Sequence, residues 1–494
     1  MNRTYSLRER AFYLLIGKII AFVLNIAVPV VLVRLLSQQN YGFYQQFWLM
    51  SLTVTPMLAF GIHNSLFYFY PTSRGQEDKT ALLSRTFFSL LGMAVIGLCV
   101  AVILKSHIIG LLKCVELDQF YWALILHIFF SVVSACLQNL FLIEGKATRS
   151  MWFEIYNQLS RAVMLIFAVL VFHTVSAAVW ALVIQALINS AYLFAYLLYH
   201  YRIDIRTIRF SDLMAQIKYV LPMGLGAIVG TIGDQADKLI LTALFTTRDY
   251  ALYSVGNFRI PIIATLYETV GDVILTRISE YSKAPHGKLL ALELYKKMLR
   301  LNAMVTIPII VFSITFAGPI ITFLFGDNYQ ESVNVFRVTL LIFFFQMLGH
   351  GYILRGYAQT GHILLSNLFK MAFSICCGYF LIKHYGIKGA ALAYTIAFSL
   401  NSVIQLNKGR QILGVPWSTF FPWRDFVVIG LISGGGAIVS ALCYFIPLHK
   451  MVLILAAGLM YCTIVAAMLM KRGYITQEMI ARVKTALGIR ATTT

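Results

Sequence analysis

The sequence predicts an all-α, polytopic membrane protein with about fourteen transmembrane helices, built as two six-helix bundles in a parallel internal repeat plus two C-terminal helices. Three observations lead to this fold class: high hydrophobicity, apolar runs of membrane-spanning length, and motifs that recur in both halves. Of the 494 residues, 59% are hydrophobic and 12% are charged, and the mean hydropathy is +0.77. A soluble domain with a polar exterior does not carry such a composition.

Fourteen apolar runs are long enough to cross a hydrocarbon core, which takes about 20 helical residues. The first run is too long for a signal peptide and contains Lys18, so it is expected to remain as a helix. We number the runs spans 1 to 14: 11–33, 43–68, 82–104, 120–143, 151–172, 177–199, 219–243, 251–275, 300–324, 332–354, 362–382, 388–406, 425–446 and 450–470.

The basic residues are distributed unevenly between the two sides of these spans. The chain has 40 Lys and Arg against 20 Asp and Glu, a net charge of +20. Of the 40, 27 lie in the even-numbered connections and the termini, and seven lie in the odd-numbered connections. This is the positive-inside bias, and it predicts that both termini are cytoplasmic. The excess charge is therefore assigned to orientation and to contact with anionic membrane lipid, and no nucleic-acid partner is expected.

Three motifs recur in the same order at offsets of 209, 211 and 212 residues, which indicates an internal duplication. Six helices per repeat is an even number, so both halves enter the membrane in the same sense and a site is expected between them. The predicted domains are 1–205, 206–410, and 411–494 with the two additional helices and a tail. The paired motifs are "SQQNYGFYQQF" with "TTRDYALYSVGNF", "EGKAT" with "RGYAQ", and "SAAVWALVIQALINS" with "KGAALAYTIAFSLNS".

Polar side chains one turn apart form stripes along several spans, and such stripes are expected to face away from lipid. Arg161 and Lys370 are 209 residues apart, at equivalent repeat positions near the bilayer centre. A charge there costs about 2.5 kcal/mol or more unless it is paired or hydrated, so the two bases predict a cavity for an anionic substrate. The candidate substrate-binding residues are Arg161, Lys370, Lys18, Asn157, Asn367, His127 and Gln138.

Two of these residues have a structural alternative. Arg161 could pair with Glu154, two turns away, and serve packing only. A single His on a helix more often makes a packing hydrogen bond than a functional one, so a cavity role for His127 stays open beside that alternative.

A second charged group occupies "VGTIGDQADKLILTALF", residues 229–245. Asp234 and Lys238 are four residues apart, in the order that favours an intrahelical pair. Asp237 continues a face of glycines and can therefore lie close to a neighbouring helix. The stretch is interpreted as an outer gate or packing element, with Asp237 the strongest candidate for ion coupling. The ion-coupling or gate candidates are Asp237, Asp234, Lys238, Glu268, Asp272 and Arg259.

The sequence contains no recognisable catalytic motif. It has no H-E-x-x-H, P-loop or nucleophile elbow, and its seven cysteines lack metal-site spacing. No cofactor or metal site is expected, and the protein is not expected to be an enzyme.

Three segments resemble the polysaccharide transporter family, which includes O-antigen flippases and belongs to the multidrug/oligosaccharidyl-lipid/polysaccharide (MOP) exporter superfamily. They are "VPVVLVRLLSQQNYGFYQ", "DKLILTALFTTRDYALYSVGNF" and "HYGIKGAALAYTIAFSLN". The resemblance implies two V-arranged bundles with a central cavity, two further helices that guide a polyprenyl tail, and alternating access. The implied substrate is a polyprenyl-diphosphate-linked oligosaccharide of the bacterial inner membrane, with Lys18, Arg161 and Lys370 contacting diphosphate or acidic sugar.

The resemblance also implies a polysaccharide polymerase or assembly complex as a partner. Three other functions remain open: a cation-coupled multidrug exporter of the MATE type, a membrane enzyme of polysaccharide assembly, and a non-transporting scaffold. A drug exporter would be expected to place acids in its cavity, whereas the central pair here is basic. A polymerase or ligase would be expected to have a large outer loop, and the longest outer connection here is 105–119.

Overall fold

The computed structural model describes residues 23–24, 26–73, 75–112, 115–258, 260–446 and 449–475. This part of the chain is almost entirely helical and contains no β-strand. The all-α prediction is confirmed. A chain of this hydropathy can satisfy its backbone hydrogen bonds inside lipid through helices, because each helix closes its own ladder.

The helices are, in chain order, α1 (Ile26–Leu35), α2 (Gln38–Ala59), α3 (Leu66–Thr72), α4 (Gln76–Ile103), α5 (Lys105–Leu112), α6 (Val115–Val133), α7 (Leu137–Ile143), α8 (Ala147–Phe172), α9 (Val175–Tyr201), α10 (Phe210–Leu244), α11 (Thr247–Gly256), α12 (Pro261–Tyr281), α13 (Gly287–Thr315), α14 (Ala317–Phe325), α15 (Ser332–Met347), α16 (Tyr352–Gly356), α17 (Thr360–Leu413), α18 (Trp417–Phe420), α19 (Trp423–Ala441) and α20 (Lys450–Lys471).

Ten helical segments in the described ranges are long and apolar enough to cross a membrane, which supports the polytopic interpretation. The count of fourteen is not confirmed. Predicted spans 11 and 12 correspond to two helices that meet inside the 54-residue element α17, at Gly386. Gly386 has φ 56° and ψ −133°, a non-helical backbone conformation that glycine adopts without the steric penalty of a Cβ atom. The chain therefore leaves one helix and enters the next at this residue.

Several helices are longer than the hydropathy of the sequence predicts. Helix α10 begins at Phe210 rather than at 219, and α13 begins at Gly287 rather than at 300. The early part of α13 buries Ala291, Leu292 and Tyr295 while its lysines alternate with them. Hydropathy detects only the segment that is apolar all round, so an amphipathic extension of the same helix is missed.

The chain forms two compact units. Unit 1 comprises Met1–Ser254 and Asn367–Tyr394, and unit 2 comprises Val255–Ser366 and Thr395–Thr494. Within unit 1, α6 packs against α2, α4 and α9, and α8 packs against α9. Within unit 2, α13 packs against α12, α15 and α19, and α19 packs against α20. The proposed repeat halves, 1–205 and 206–410, remain a prediction.

A buried polar network in unit 1 joins α4 to α10. The Arg85 Nε donates a hydrogen bond to Gln216 Oε1 at 2.7 Å, and Gln216 Nε2 donates to Ser65 Oγ at 2.6 Å and to Thr86 Oγ1 at 3.0 Å. Arg85 also lies 3.4 Å from a carboxylate oxygen of Asp212. Unpaired polar groups would be costly at buried positions, so these bonds specify which faces of the two helices meet.

Unit 2 uses similar tethers between helices. Asn302 Nδ2 donates to the carbonyl of Met347 at 3.0 Å, and the Tyr461 hydroxyl donates to the carbonyl of Pro308 at 2.9 Å. Both acceptors belong to helix backbones, so each bond fixes one helix against the next. The second contact ties α20 to α13.

Helices α2 and α11 approach most closely at Gly42. A Cβ atom added there would lie 2.0 Å from the backbone oxygen of Thr247, which cannot move aside as a flexible side chain could. Position 42 therefore requires glycine because there is no room for a Cβ atom, and not because its backbone dihedral angles exclude other residues.

We expect Gly42→Ala to lower the free energy of unfolding of the purified protein by about 1–3 kcal/mol, because overpacking usually costs this much. The melting temperature should fall accordingly. Gly92→Ala is the matched control, because Gly92 is also helical and has no atom within 4 Å of the added Cβ. Thermal unfolding of both variants in the same detergent measures the difference. Equal melting temperatures for the two variants would contradict the packing described here.

Candidate functional site

A polar cavity of about 320 Å³ lies inside unit 1, between α2, α6, α7, α8 and α9. We call it the amide pocket, because side-chain amides dominate its polar wall. The residues that line it include one guanidinium and no carboxylate. Its polar lining residues are Ser51, Thr55, His127, Ser131, Ser134, Gln138, Asn157, Gln158, Arg161, Gln185 and Asn189.

Local helix geometry places these side chains on one wall. On α8, Asn157, Gln158 and Arg161 follow the three- and four-residue spacing of one helix face. The predicted span 120–143 is interrupted by a 3-10 turn at Ser134–Cys136, between α6 and α7. Short 3-10 segments inside long helices often mark functional positions, and this one lies where Gln138 enters the wall.

Arg161 is held on two sides. Its Nη2 donates to Gln158 Oε1 at 2.8 Å, and Gln158 Nε2 donates to Glu154 Oε1 at 3.0 Å, so Gln158 connects the arginine to the acid considered as its pairing partner. The guanidinium carbon also lies 5.0 Å from the centre of the Trp48 ring, a cation–π distance. These contacts fix the direction of the guanidinium while it lines the cavity.

Asn157 connects α8 to α9. Gln185 Nε2 donates to Asn157 Oδ1 at 2.9 Å and to its backbone carbonyl at 2.8 Å, and Asn189 Nδ2 donates to Asn157 Oδ1 at 3.1 Å. Gln185 and Asn189 are one turn apart on α9. The amides thus form a connected network that presents both donors and acceptors to the cavity.

His127 packs against neighbouring groups at the edge of the amide pocket. Its Nδ1 lies 3.1 Å from the carbonyl oxygen of Leu182, and its ring packs near Phe47 and Trp48 at centroid distances of 5.6 and 6.2 Å. The ring is buried, yet it contributes to the wall of the amide pocket. The backbone hydrogen bond explains its burial without a ligand, so the packing role is established and the cavity role stays a prediction.

Lys370 has a partner that the sequence did not reveal. Its Nζ donates to Asp234 Oδ1 at 2.6 Å, joining α17 to α10. The Lys370 side chain is 6% exposed and that of Asp234 is 47% exposed. A Cβ atom at Gly233 would lie 3.2 Å from Lys370 Cε, so the glycine face of α10 allows this close approach. Asn367 lies one turn before Lys370 and does not line the amide pocket.

The other charges of residues 229–245 also contact neighbouring side chains, and the intrahelical pair of Asp234 with Lys238 stays a prediction. Lys238 Nζ donates to Gln235 Oε1 at 2.6 Å, while Asp234 is bound to Lys370. Asp237 is buried, and its Oδ2 accepts a hydrogen bond from the Tyr253 hydroxyl. Its other oxygen, Oδ1, has no hydrogen-bond partner among the described residues.

Four predicted residues cannot be placed in a site. Lys18 and Arg259 lie outside the described residues. Glu268 and Asp272 belong to α12, but their side chains lie outside the description. Of the seven predicted substrate-binding residues, the structure brings four together in the amide pocket: Arg161, Asn157, His127 and Gln138.

A second polar cluster, the Glu144 cluster, lies at the connection between α7 and α8. Glu144 accepts hydrogen bonds from Lys146 Nζ at 2.6 Å, Tyr196 at 2.7 Å and Tyr201 at 2.5 Å. The Tyr201 hydroxyl is also 3.1 Å from that of Tyr70. Burial alone would raise the pKa of Glu144, but the hydrogen bonds and the charge of Lys146 outweigh it and lower the pKa below its usual value.

Sequence reasoning missed several of these residues. Gln185 and Asn189 carried a signal, since two amides one turn apart interrupt an otherwise apolar span. No sequence signal pointed to Trp48 or to the contacts of Glu144 with Tyr196 and Tyr201. Tyrosines and tryptophans are common at membrane interfaces for other reasons, so their presence does not indicate a site.

The fold is similar to that of solved membrane transporters. It is similar to a solved structure described as "Lipid II flippase MurJ, inward closed conformation", with a TM-score of 0.72 and 15% identity, covering 93% of this chain and 99% of that chain. It is also similar to an inward-facing multidrug resistance MATE family transporter of the MOP superfamily, with a TM-score of 0.60 and 15% identity over 80% of this chain and 94% of that one. The chain has the fold of MOP-superfamily transporters.

Residues 31–334 match the model of a family described as "Polysaccharide biosynthesis protein", and the chain belongs to this family. A Shigella flexneri protein named "Putative O-antigen transporter" is 22% identical over 185 residues. That match covers 37% of this chain and 43% of the relative, so it spans less than half the length of the relative. The resemblance stated from the sequence motifs is confirmed.

The lowered pKa of Glu144 predicts an acid-labile contribution to stability. A carboxyl whose pKa is lower in the folded state stabilises the protein above its unfolded pKa, and this stabilisation is lost as the pH falls through the folded value. We expect the melting temperature of Glu144→Gln to lie below that of the unsubstituted protein at neutral pH, and the gap to narrow on acidification below about pH 4.5.

The control is Glu77→Gln, which removes an exposed carboxylate from the first turn of α4. Melting curves between neutral pH and about pH 3 measure the effect. A gap between the unsubstituted protein and Glu144→Gln that stays constant over this range would refute the assignment.

Proposed function

We propose that this protein moves a polyprenyl-diphosphate-linked oligosaccharide, such as an O-antigen, capsule or exopolysaccharide unit, across the bacterial inner membrane by alternating access. Family membership and the MOP transporter fold support the class of substrate and the class of protein. The observation that carries the proposal is the amide pocket, in which a fixed guanidinium and a network of amides line a cavity among apolar helices.

The chemistry of the pocket suits a glycan with an acidic group. Amides present both hydrogen-bond donors and acceptors, which match the hydroxyl groups of sugars, while a guanidinium binds phosphate or carboxylate oxygens in a bidentate manner. In this proposal Arg161 binds diphosphate or an acidic sugar, and Asn157 and Gln138 contact sugar hydroxyls.

The remaining predicted residues also receive roles in this proposal. Lys370 and Asp234 form an ion pair that opens when an anionic group competes for the lysine, and Asn367 and Lys18 remain candidates for the same substrate. Asp237 is the leading ion-coupling candidate, because a carboxylate with one unsatisfied buried oxygen gains from binding a proton or a cation. Lys238, Glu268, Asp272 and Arg259 stay candidates for coupling or gating.

The setting of the protein follows from the same proposal. Both termini are assigned to the cytoplasm on the distribution of basic residues. A polysaccharide polymerase or assembly complex is the proposed partner, since it would consume the translocated unit.

A MATE-type drug exporter is the second candidate, because the fold is also similar to that class. A cationic drug needs a carboxylate or an aromatic cage to offset its desolvation. The residues that line the amide pocket provide a guanidinium instead of a carboxylate, which favours an anionic substrate.

Replacing the guanidinium tests the proposed site. We expect Arg161→Gln to reduce delivery of lipid-linked glycan to the outer leaflet by about tenfold or more, because a charge-assisted contact of ~1.5–3 kcal/mol is lost. Arg161→Lys keeps the charge and should retain part of the activity. The assay measures enzyme-accessible lipid-linked sugar on spheroplasts, normalised to the amount of protein in the membrane.

The matched control is Arg337→Gln, which removes an arginine from α15 whose Nε contacts the backbone oxygen of Ile314, outside the amide pocket. Normal delivery by Arg161→Gln at normal protein levels would exclude the proposed site. A scaffold or enzyme role predicts this same normal delivery.

A charge exchange separates the structural role of Lys370 from a role in substrate binding. Lys370→Asp alone should lower protein levels, because it faces Asp234 with a like charge. The double variant Asp234→Lys/Lys370→Asp should restore protein levels, because the ion pair is rebuilt in reverse. If Lys370 also binds substrate, the double variant stays deficient in delivery; restored delivery would limit Lys370 to the ion pair.

A further inference from the structure

A second cavity of unit 1 lies beside the amide pocket and has a different character. It is a groove of about 550 Å³ between α7, α8 and α9, and we call it the aromatic groove. Its walls are formed mainly by Phe141, Trp152, Phe153, Tyr156 and Tyr192. Arg149, in the first turn of α8, is the one charged side chain in its lining.

The groove faces the surface that the helices present to lipid. Exposed apolar side chains recur every three or four residues along α8, at Trp152, Tyr156, Leu159, Val163 and Phe167. A similar stripe follows α9. Such stripes are the lipid-facing sides of membrane helices. A ligand would therefore enter the groove from the bilayer.

The aromatic walls are held in place by the residues behind them. The Phe141 ring contacts the rings of Phe153 at 5.9 Å, Tyr192 at 6.5 Å and Tyr196 at 5.4 Å between centroids. Tyr196 in turn donates its hydroxyl hydrogen bond to Glu144. The Glu144 cluster therefore fixes the end of the groove that lies nearest Arg149.

Arg149 carries the charge that indicates which kind of ligand the aromatic groove binds. Its side chain is exposed and forms no hydrogen bond or ion pair with the described residues. By the charge distribution it lies at the cytoplasmic ends of α8 and α9, where phosphate groups of lipids lie. A guanidinium beside an apolar groove complements a phosphate attached to a long hydrocarbon chain.

We infer that the aromatic groove, with Arg149, is a docking site for the isoprenoid phosphate portion of a lipid-linked glycan before its sugar enters the amide pocket. The inference rests on the proposed function. Phe153 and Asn189 line both cavities, so the two sites adjoin. Arg149 and Arg161 are separated by about 18 Å along α8, more than the length of a diphosphate. In this proposal the two arginines act in sequence.

The test uses the purified full chain in detergent micelles and undecaprenyl monophosphate, a carrier without sugar, as the probe. We expect Arg149→Gln to weaken binding by about tenfold, as the loss of a charge-assisted contact would. Trp152→Ala should weaken it severalfold. Arg149 and Trp152 are exposed, so folding is expected to be preserved, and a melting curve for each variant checks this.

Two controls match these variants. Arg206→Gln removes an exposed arginine of a turn outside the groove, and Trp180→Ala removes an exposed tryptophan from another part of α9. Both should bind the probe normally. Unchanged binding in Arg149→Gln, or equal losses in the controls, would overturn the proposal.

A competition experiment tests whether the groove prefers an isoprenoid phosphate to an ordinary anionic lipid. It also allows the docking site to be tested separately from the proposed function. If phosphatidylglycerol competes as strongly as undecaprenyl monophosphate, the groove is a general anionic-lipid site and the proposal fails. Arg149→Gln leaves the amide pocket intact, so weakened probe binding in this variant supports the docking site whether or not Arg161→Gln transports lipid-linked glycan. Normal probe binding in Arg149→Gln would refute the docking site. This conclusion would hold even if every variant failed to transport, because the binding measurement does not depend on the amide pocket.

Discussion

The organisation of this protein depends on the cost of leaving a polar group unpaired in an apolar environment. Arg85, Asn157 and Lys370 each lie on a helix with long apolar stretches, and each is bound to a side chain from another helix. Because an unsatisfied buried group costs about 1–3 kcal/mol, few helix arrangements can pair all of them. The polar residues thus select the helix neighbours, which apolar packing alone would leave loosely specified.

Much of the fold could be predicted from the sequence because hydropathy and charge bias are local or additive signals. The membrane class and the all-helical structure follow from them, whereas the family follows from the three quoted segments that resemble it. The length of α13 could not be predicted in this way. An amphipathic extension of a helix looks like loop sequence when only average hydropathy is read.

The site could be predicted in part. The polar stripe on α8 identified Arg161 and Asn157, because helix periodicity alone shows that they share a face. Asp234 as the partner of Lys370 could not be found, because the contact joins residues 136 positions apart in α10 and α17. The local sequence around Asp234 likewise contains no sign that Lys370 contacts it.

The predicted duplication does not make the two central bases equivalent. Arg161 and Lys370 occupy matching repeat positions, yet Lys370 is paired with a carboxylate, whereas Arg161 contacts an amide and a tryptophan ring in the wall of a cavity. An anion approaching Lys370 must displace Asp234, while one approaching Arg161 meets a lining that contains no carboxylate. The two bases of the predicted repeat therefore have different surroundings, since the side chain of Arg161 lines the amide pocket and that of Lys370 joins α17 to α10.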